Sequence, residues 1–96
     1  MNVVYHPAVQ KDLNAIFRYY DRIDPRLGDA FWEEFLYYVQ KASKNPTRFH
    51  STTKNRRRAN LKRFPYHFLF RQFDDRIRIT VVRHHQRHPQ YGINRP

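Results

Sequence analysis

The most constraining feature of this chain is a period-two alternation interrupted by a tight acidic turn. Tyr66, Phe68 and Phe70 alternate with His67, Leu69 and Arg71. Phe73 leads into Asp74-Asp75, after which Ile77, Ile79 and Val81 alternate with Arg76, Arg78, Thr80 and Val82. Successive strand residues face opposite sides, so this pattern predicts an antiparallel hairpin with one buried face. Ile77, Ile79 and Val81 should be buried with Phe68 and Phe70. Arg71, Arg76, Arg78 and His84 should occupy the other face. A strand over Ala59–Phe64, interrupted by Pro65, would extend the hairpin to a three-stranded meander.

Such a sheet needs a cover, and the first half of the chain can provide it. Asn2–His6 is β-branched and aromatic, which predicts a short strand. Val9, Leu13, Ile16, Phe17 and Tyr20 make one helical stripe between Ala8 and Arg22. Asp24-Pro25 is a helix start: the carboxylate can cap free N–H groups and proline suits the first turn. A second stripe follows with Leu27, Ala30, Phe31, Phe35, Tyr38, Val39 and Ala42. Lys41 and Lys44 complement its C-terminal dipole, and Asn45-Pro46 should end it. A three-residue link makes the pair an antiparallel helical hairpin. Trp32, Leu36 and Tyr37 fall off the main stripe, either as exposed residues or as an apolar face for a partner. Thr47–Asn55 is polar and aperiodic and predicts a loop. The expected fold class is α+β: an N-terminal strand, the helical hairpin and the three-stranded meander, in one domain over residues 1–96.

Charge bounds the function. The net charge of the 96 residues is +11. Residues 1–40 carry four Lys/Arg against six Asp/Glu, whereas residues 41–96 carry fifteen against two. A half this basic attracts polyanions, so nucleic acid, the ribosome and acidic protein segments are the candidate partners. The candidate contacts to nucleic acid or target are Arg56, Arg57, Arg58, Arg71, Arg78 and Arg83. Cysteine is absent, which excludes a disulfide framework and thiolate metal sites and fits a reducing compartment. No apolar run is long enough to span a membrane, and the N-terminus lacks signal-peptide features. The expected location is cytoplasmic, with no cofactor. His84 and His88 alone, in an irregular tail, do not define a metal site.

The order of these pieces resembles the RelE/ParE superfamily of toxins from bacterial type II toxin–antitoxin modules. His6-Pro7-Ala8 with Leu13 is similar to the family's opening. Asn45-Pro46 matches the proline that ends its second helix. Arg58-Ala59-Asn60-Leu61 through Phe64-Pro65-Tyr66 resembles the entry to its meander. Val82-Arg83-His84-His85-Gln86-Arg87-His88-Pro89 resembles the V-x-H-x-x-R-x-P of ParE-like members.

The resemblance implies a growth-inhibiting toxin, of the plasmid-stabilisation type, neutralised by an antitoxin that lays an acidic segment on it. A homodimer is a further candidate assembly. The family contains DNA gyrase poisons and ribosome-dependent messenger-RNA endonucleases. Metal-free RNA cleavage needs a base, an acid and a cation beside the phosphate. If the chain were a ribonuclease, His84, His85, Arg87 and Tyr91 would be its catalytic residues. His85, however, stands where ribonuclease members carry an arginine, and residues 76–96 hold no carboxylate. The tail motif therefore favours the gyrase-directed reading. A nucleic-acid-binding module without toxicity is the third alternative.

Overall fold

A computed structural model describes residues 1–52 and 55–96. It contains strand β1 (Asn2–Tyr5), helix α1 (Val9–Ile23), helix α2 (Pro25–Lys44) and a 3-10 turn (Pro46–Arg48). Strands β2 (His50–Ser51), β3 (Arg56–Asn60), β4 (Tyr66–Gln72) and β5 (Arg76–His84) follow. The strands form one sheet in the order β1-β5-β4-β3-β2. β3, β4 and β5 are the expected antiparallel meander. β1 lies parallel to β5, with Val3 opposite Ile77.

Local chemistry sets the helix ends. The free N–H of Ala8 donates to His6 Nδ1 at 3.0 Å at the start of α1. Asp24 Oδ1 accepts from the Arg26 N–H at 2.9 Å, and Pro25 opens α2. The link between the helices is Asp24 alone, shorter than the expected three residues, because α1 runs on to Ile23. Gly28 sits against the Asp21 side chain, and its missing Cβ lets the helices approach.

Both helices cover one sheet face. Phe31, Phe35, Phe68, Phe70, Ile77 and Ile79 are fully buried there. Phe35 meets Phe68 edge-on at 5.4 Å, and Phe31 meets Phe64 edge-on at 5.6 Å. Each such side chain contributes roughly 1.5–3 kcal/mol through burial, so this aromatic layer dominates the stability of a small sheet.

Three boundaries differ from expectation. β3 spans Arg56–Asn60 rather than starting at Ala59, so the arginine triplet lies inside the strand. Residues 61–65 form a loop because Glu34 of α2 reaches in and accepts from the N–H groups of Arg63 and Phe64. The expected loop at 47–55 contains the 3-10 turn and β2, which pairs with β3; Thr53 and Lys54 of that stretch lie outside the described residues.

The alternation in β5 also breaks. Phe70 faces Ile79 while Leu69 faces Val81, so Thr80 is an extra residue, a β-bulge. The bulge returns Val82 to the helix-covered core with Ile77 and Ile79. Val81 is buried as expected, but on the opposite face, against Gly92.

Candidate functional site

The bulge organises the face that the helices leave open. The strand register places Arg56, Arg71 and Arg78 as direct neighbours on β3, β4 and β5. The next row is Arg58, Leu69 and Val81, and the one after it is Asn60, His67 and Arg83. Five of the six candidate binding arginines therefore share one sheet face. Arg57 does not: it alternates to the helix side, and its Nη1 donates to the Phe49 carbonyl at 2.9 Å. Arg76 lies outside the row, stacked on Phe73 and bridged to Asp75.

The C-terminal segment crosses this face and supplies acceptors where carboxylates are missing. Arg83 Nη1 donates to the carbonyls of Pro89 and Tyr91, both at 2.8 Å. Arg56 Nη2 donates to the Arg95 carbonyl at 3.0 Å. The segment is anchored to α1 through Asp12, a carboxylate 4% exposed. Asp12 accepts from the Val82 N–H at 3.0 Å, the Tyr91 hydroxyl at 2.6 Å and the Arg95 guanidinium at 2.6 Å. Four donors satisfy its two oxygens, counting the second Arg95 nitrogen, which is what a buried carboxylate requires.

Two imidazoles lie at the end of the arginine face. Arg83 Nε donates to His67 Nε2 at 2.9 Å. The His67 proton is thereby on Nδ1, which donates to His85 Nδ1 at 3.0 Å. His85 consequently carries its proton on Nε2. The ring planes lie within 9° of each other. Burial, then the charges of Arg58 and Arg83, push the His67 pKa down to about 3. Burial, then Arg58 and His84, also lower that of His85. The pair is neutral near pH 7, and the His85 nitrogen facing away from His67 is a donor.

His84 points the other way. It was expected among the arginines, but the bulge turns it to the α1 side, where its ring meets Tyr66 edge-on at 5.1 Å. There His84, Arg87 and Tyr91 line a cleft of about 340 Å³ with Lys11, Arg18 and Tyr19. Arg87 stacks on the Tyr91 ring at 3.9 Å. The candidate catalytic residues are thus divided: His84, Arg87 and Tyr91 share the cleft, while His85 stacks on His67 beside Arg58, its ring 6.4 Å from that of His84.

Three organising residues escaped the sequence reading: Asp12, His67 and Arg95. Asp12 offered one signal, a lone carboxylate adjoining the apolar stripe of α1. His67 is only one of the residues alternating with the hairpin's apolar face, and Arg95 only one of the fifteen basic residues of the second half. Among the described residues no cluster of three His, Asp or Glu side chains could hold a metal ion. None of the helices is long and apolar enough to cross a membrane.

No curated protein sequence matches the chain. A solved structure described as the chromosomal ParDE TA system from P. aeruginosa matches with a TM-score of 0.75 at 19% identity. The match covers 88% of this chain and 95% of that one, and at this identity it shows a shared fold. The family model for the ParE toxin of the type II toxin–antitoxin system parDE matches residues 3–89. That span contains both helices, strands β2 to β5 and all of β1 but Asn2, and the chain belongs to the ParE toxin family.

Proposed function

We propose that this chain, acting as one domain in the cytoplasm, arrests growth by binding DNA gyrase without cleaving RNA. The observation that supports this reading is the division of the candidate catalytic residues. The His84 and His85 ring centroids are 6.4 Å apart, but His84 packs on Tyr66 with its Nδ1 accepting from the Gln86 N–H, and His85 stacks on His67 with its Nδ1 accepting from that ring, so neither Nδ1 is free to act as a base. His85 presents an N–H rather than a free lone pair, which suits binding and not proton abstraction. The Tyr91 hydroxyl is committed to Asp12.

A cognate antitoxin neutralises the toxin in this reading. Its acidic segment has two complementary surfaces to use: the arginine face, and the apolar groove lined by Tyr5, Leu13, Trp32 and Leu36. Trp32 and Leu36 are 38% and 36% exposed. The same patch is also available to a second copy of the chain, and a solution mass measurement decides between monomer and homodimer.

The test combines purified protein with gyrase and, separately, with a translating extract. The expected result is inhibited supercoiling or trapped DNA cleavage, with intact messages. Codon-dependent message cleavage with unaffected supercoiling would establish the ribonuclease alternative instead.

A further inference from the structure

The row formed by Arg56, Arg71 and Arg78 contains guanidinium donors that the protein does not use. Arg56 is 1% exposed, yet its Nε and Nη1 are buried without a hydrogen-bond partner, as is Nε of Arg71. The three arginines are direct cross-strand neighbours, an arrangement in which like charges repel. The ion pairs among the described residues are Asp24–Arg26, Asp75–Arg76 and Asp12–Arg95, so none serves this row. Among the described residues its one acceptor is the neutral Arg95 carbonyl, bound to Nη2 of Arg56. Buried charge without a counter-charge is costly, and unsatisfied buried guanidinium N–H groups add to that cost.

We propose that the Arg56–Arg71–Arg78 row is a binding site for a tetrahedral oxyanion of the phosphate class. Donor number selects this class. Three buried nitrogens lack partners in addition to whatever Arg78 contributes. A carboxylate presents two oxygens in one plane, while a phosphate presents more, in three dimensions, and carries up to twice the charge near neutral pH. Arg71 and Arg78 are half-buried and give the anion access from solvent; Arg56 is the closed end of the row. The C-terminal segment borders the site through the Arg95 carbonyl. The site is independent of the target assigned above.

The experiment is thermal unfolding of the full chain at pH 7 in sodium phosphate, sodium acetate and sodium chloride of matched ionic strength. Ligand that binds only the folded state raises Tm in a saturable way, and the expected rise occurs in phosphate and not in acetate. Arg56→Met should raise Tm in chloride, because an unpaired buried cation is removed, and should abolish the phosphate response. Arg78→Met, at a more open position, should weaken phosphate binding at least tenfold without a folding defect. Lys44→Met, on the exposed end of α2, controls for net charge and should leave the response intact. A 5′-mononucleotide and a short single-stranded oligonucleotide identify the source of the phosphate. A response to the mononucleotide marks a terminal phosphate; a response to the oligonucleotide alone marks a backbone phosphodiester. Equal rises in phosphate and acetate would overturn the proposal, as would a phosphate response that survives both Arg56→Met and Arg78→Met.

Discussion

Arg95 Nη1 donates to Asp12 Oδ2 at 2.6 Å across 83 residues of sequence. This contact ties the last turn of the chain to the first turn of α1, and both to the β5 edge through the Val82 N–H. The Asp12 side chain is 1% exposed and that of Arg95 15%, so the pair is screened little by solvent.

Removing one partner should therefore be expensive. Asp12→Ala takes the carboxylate acceptor from the Tyr91 hydroxyl and the Val82 N–H, and leaves the Arg95 guanidinium only the Thr80 carbonyl and the Tyr91 oxygen. The expected loss is about 3–5 kcal/mol, as for other broken buried pairs, measured by urea unfolding. A domain of this size has a stability of roughly 5–10 kcal/mol, so the variant should stand near its folding limit. Arg95→Met should cost a similar amount, since it leaves the buried Asp12 carboxylate without its counter-charge. Amide exchange should quicken in residues 85–96 of that variant while β3–β5 stay protected. Uniform exchange across the sheet would show that the latch holds more than the tail.

Gly92 should resist substitution for two separable reasons. Its φ is +77°, and an added Cβ would lie 2.5 Å from Val81 Cγ2. A non-glycine residue there costs about 1–3 kcal/mol of backbone strain, to which the clash adds. Gly92→Ala should lower the urea midpoint, and adding Val81→Ala should restore at most the part due to the Cγ contacts, because the Val81 Cβ also lies 2.8 Å from the added carbon. Full restoration would assign the whole penalty to packing.

Acid should destabilise the fold through the two imidazoles. The His67 pKa falls from 6.5 unfolded to about 3 folded. Above the unfolded value both states are neutral, and the fold keeps its full stability. As pH falls from 6.5 toward 3, the unfolded chain takes up a proton that the folded chain refuses. Stability then drops by up to about 1.4 kcal/mol per pH unit for this one group. Urea unfolding at pH 6.5 and 5 should differ by up to roughly 2 kcal/mol, and more with the contribution of His85. His67→Asn should flatten most of that slope. An unchanged slope in the variant would assign the acid sensitivity to other groups.

The helix stripes and the Asp24-Pro25 start follow from local spacing, and the structure realises them almost residue for residue. The strand pattern around Asp74-Asp75 predicted the hairpin, but one inserted residue, Thr80, reversed the faces of every position beyond it. That single bulge moved Val81 to the arginine face and His84 to the α1 side. Period-two reading cannot detect it, because Val81 and Val82 are both apolar and fit either register. Asp12, His67 and Arg95 were illegible for a different reason: each derives its role from partners 15 or more residues away. The arginine cluster was legible as charge, while its division between Arg57 and the other five depended on the start of β3.

Tyr91→Phe tests structure and function together. The ring stays between the guanidinium groups of Arg87 and Arg95, which lie 3.9 and 5.1 Å from its centroid. The hydroxyl donor to Asp12 is lost, which should cost roughly 1–3 kcal/mol because Asp12 stays buried. If the toxin acts by binding, growth arrest should persist wherever the variant remains folded, and gyrase inhibition should remain within a few-fold of the parent. A ribonuclease using Tyr91 as its acid should instead lose roughly 10²–10⁴-fold in cleavage rate while keeping its affinity for RNA. Measuring unfolding, supercoiling and message integrity on the same preparation separates the outcomes. Growth arrest abolished in a folded Tyr91→Phe protein, together with lost message cleavage, would refute the binding mechanism.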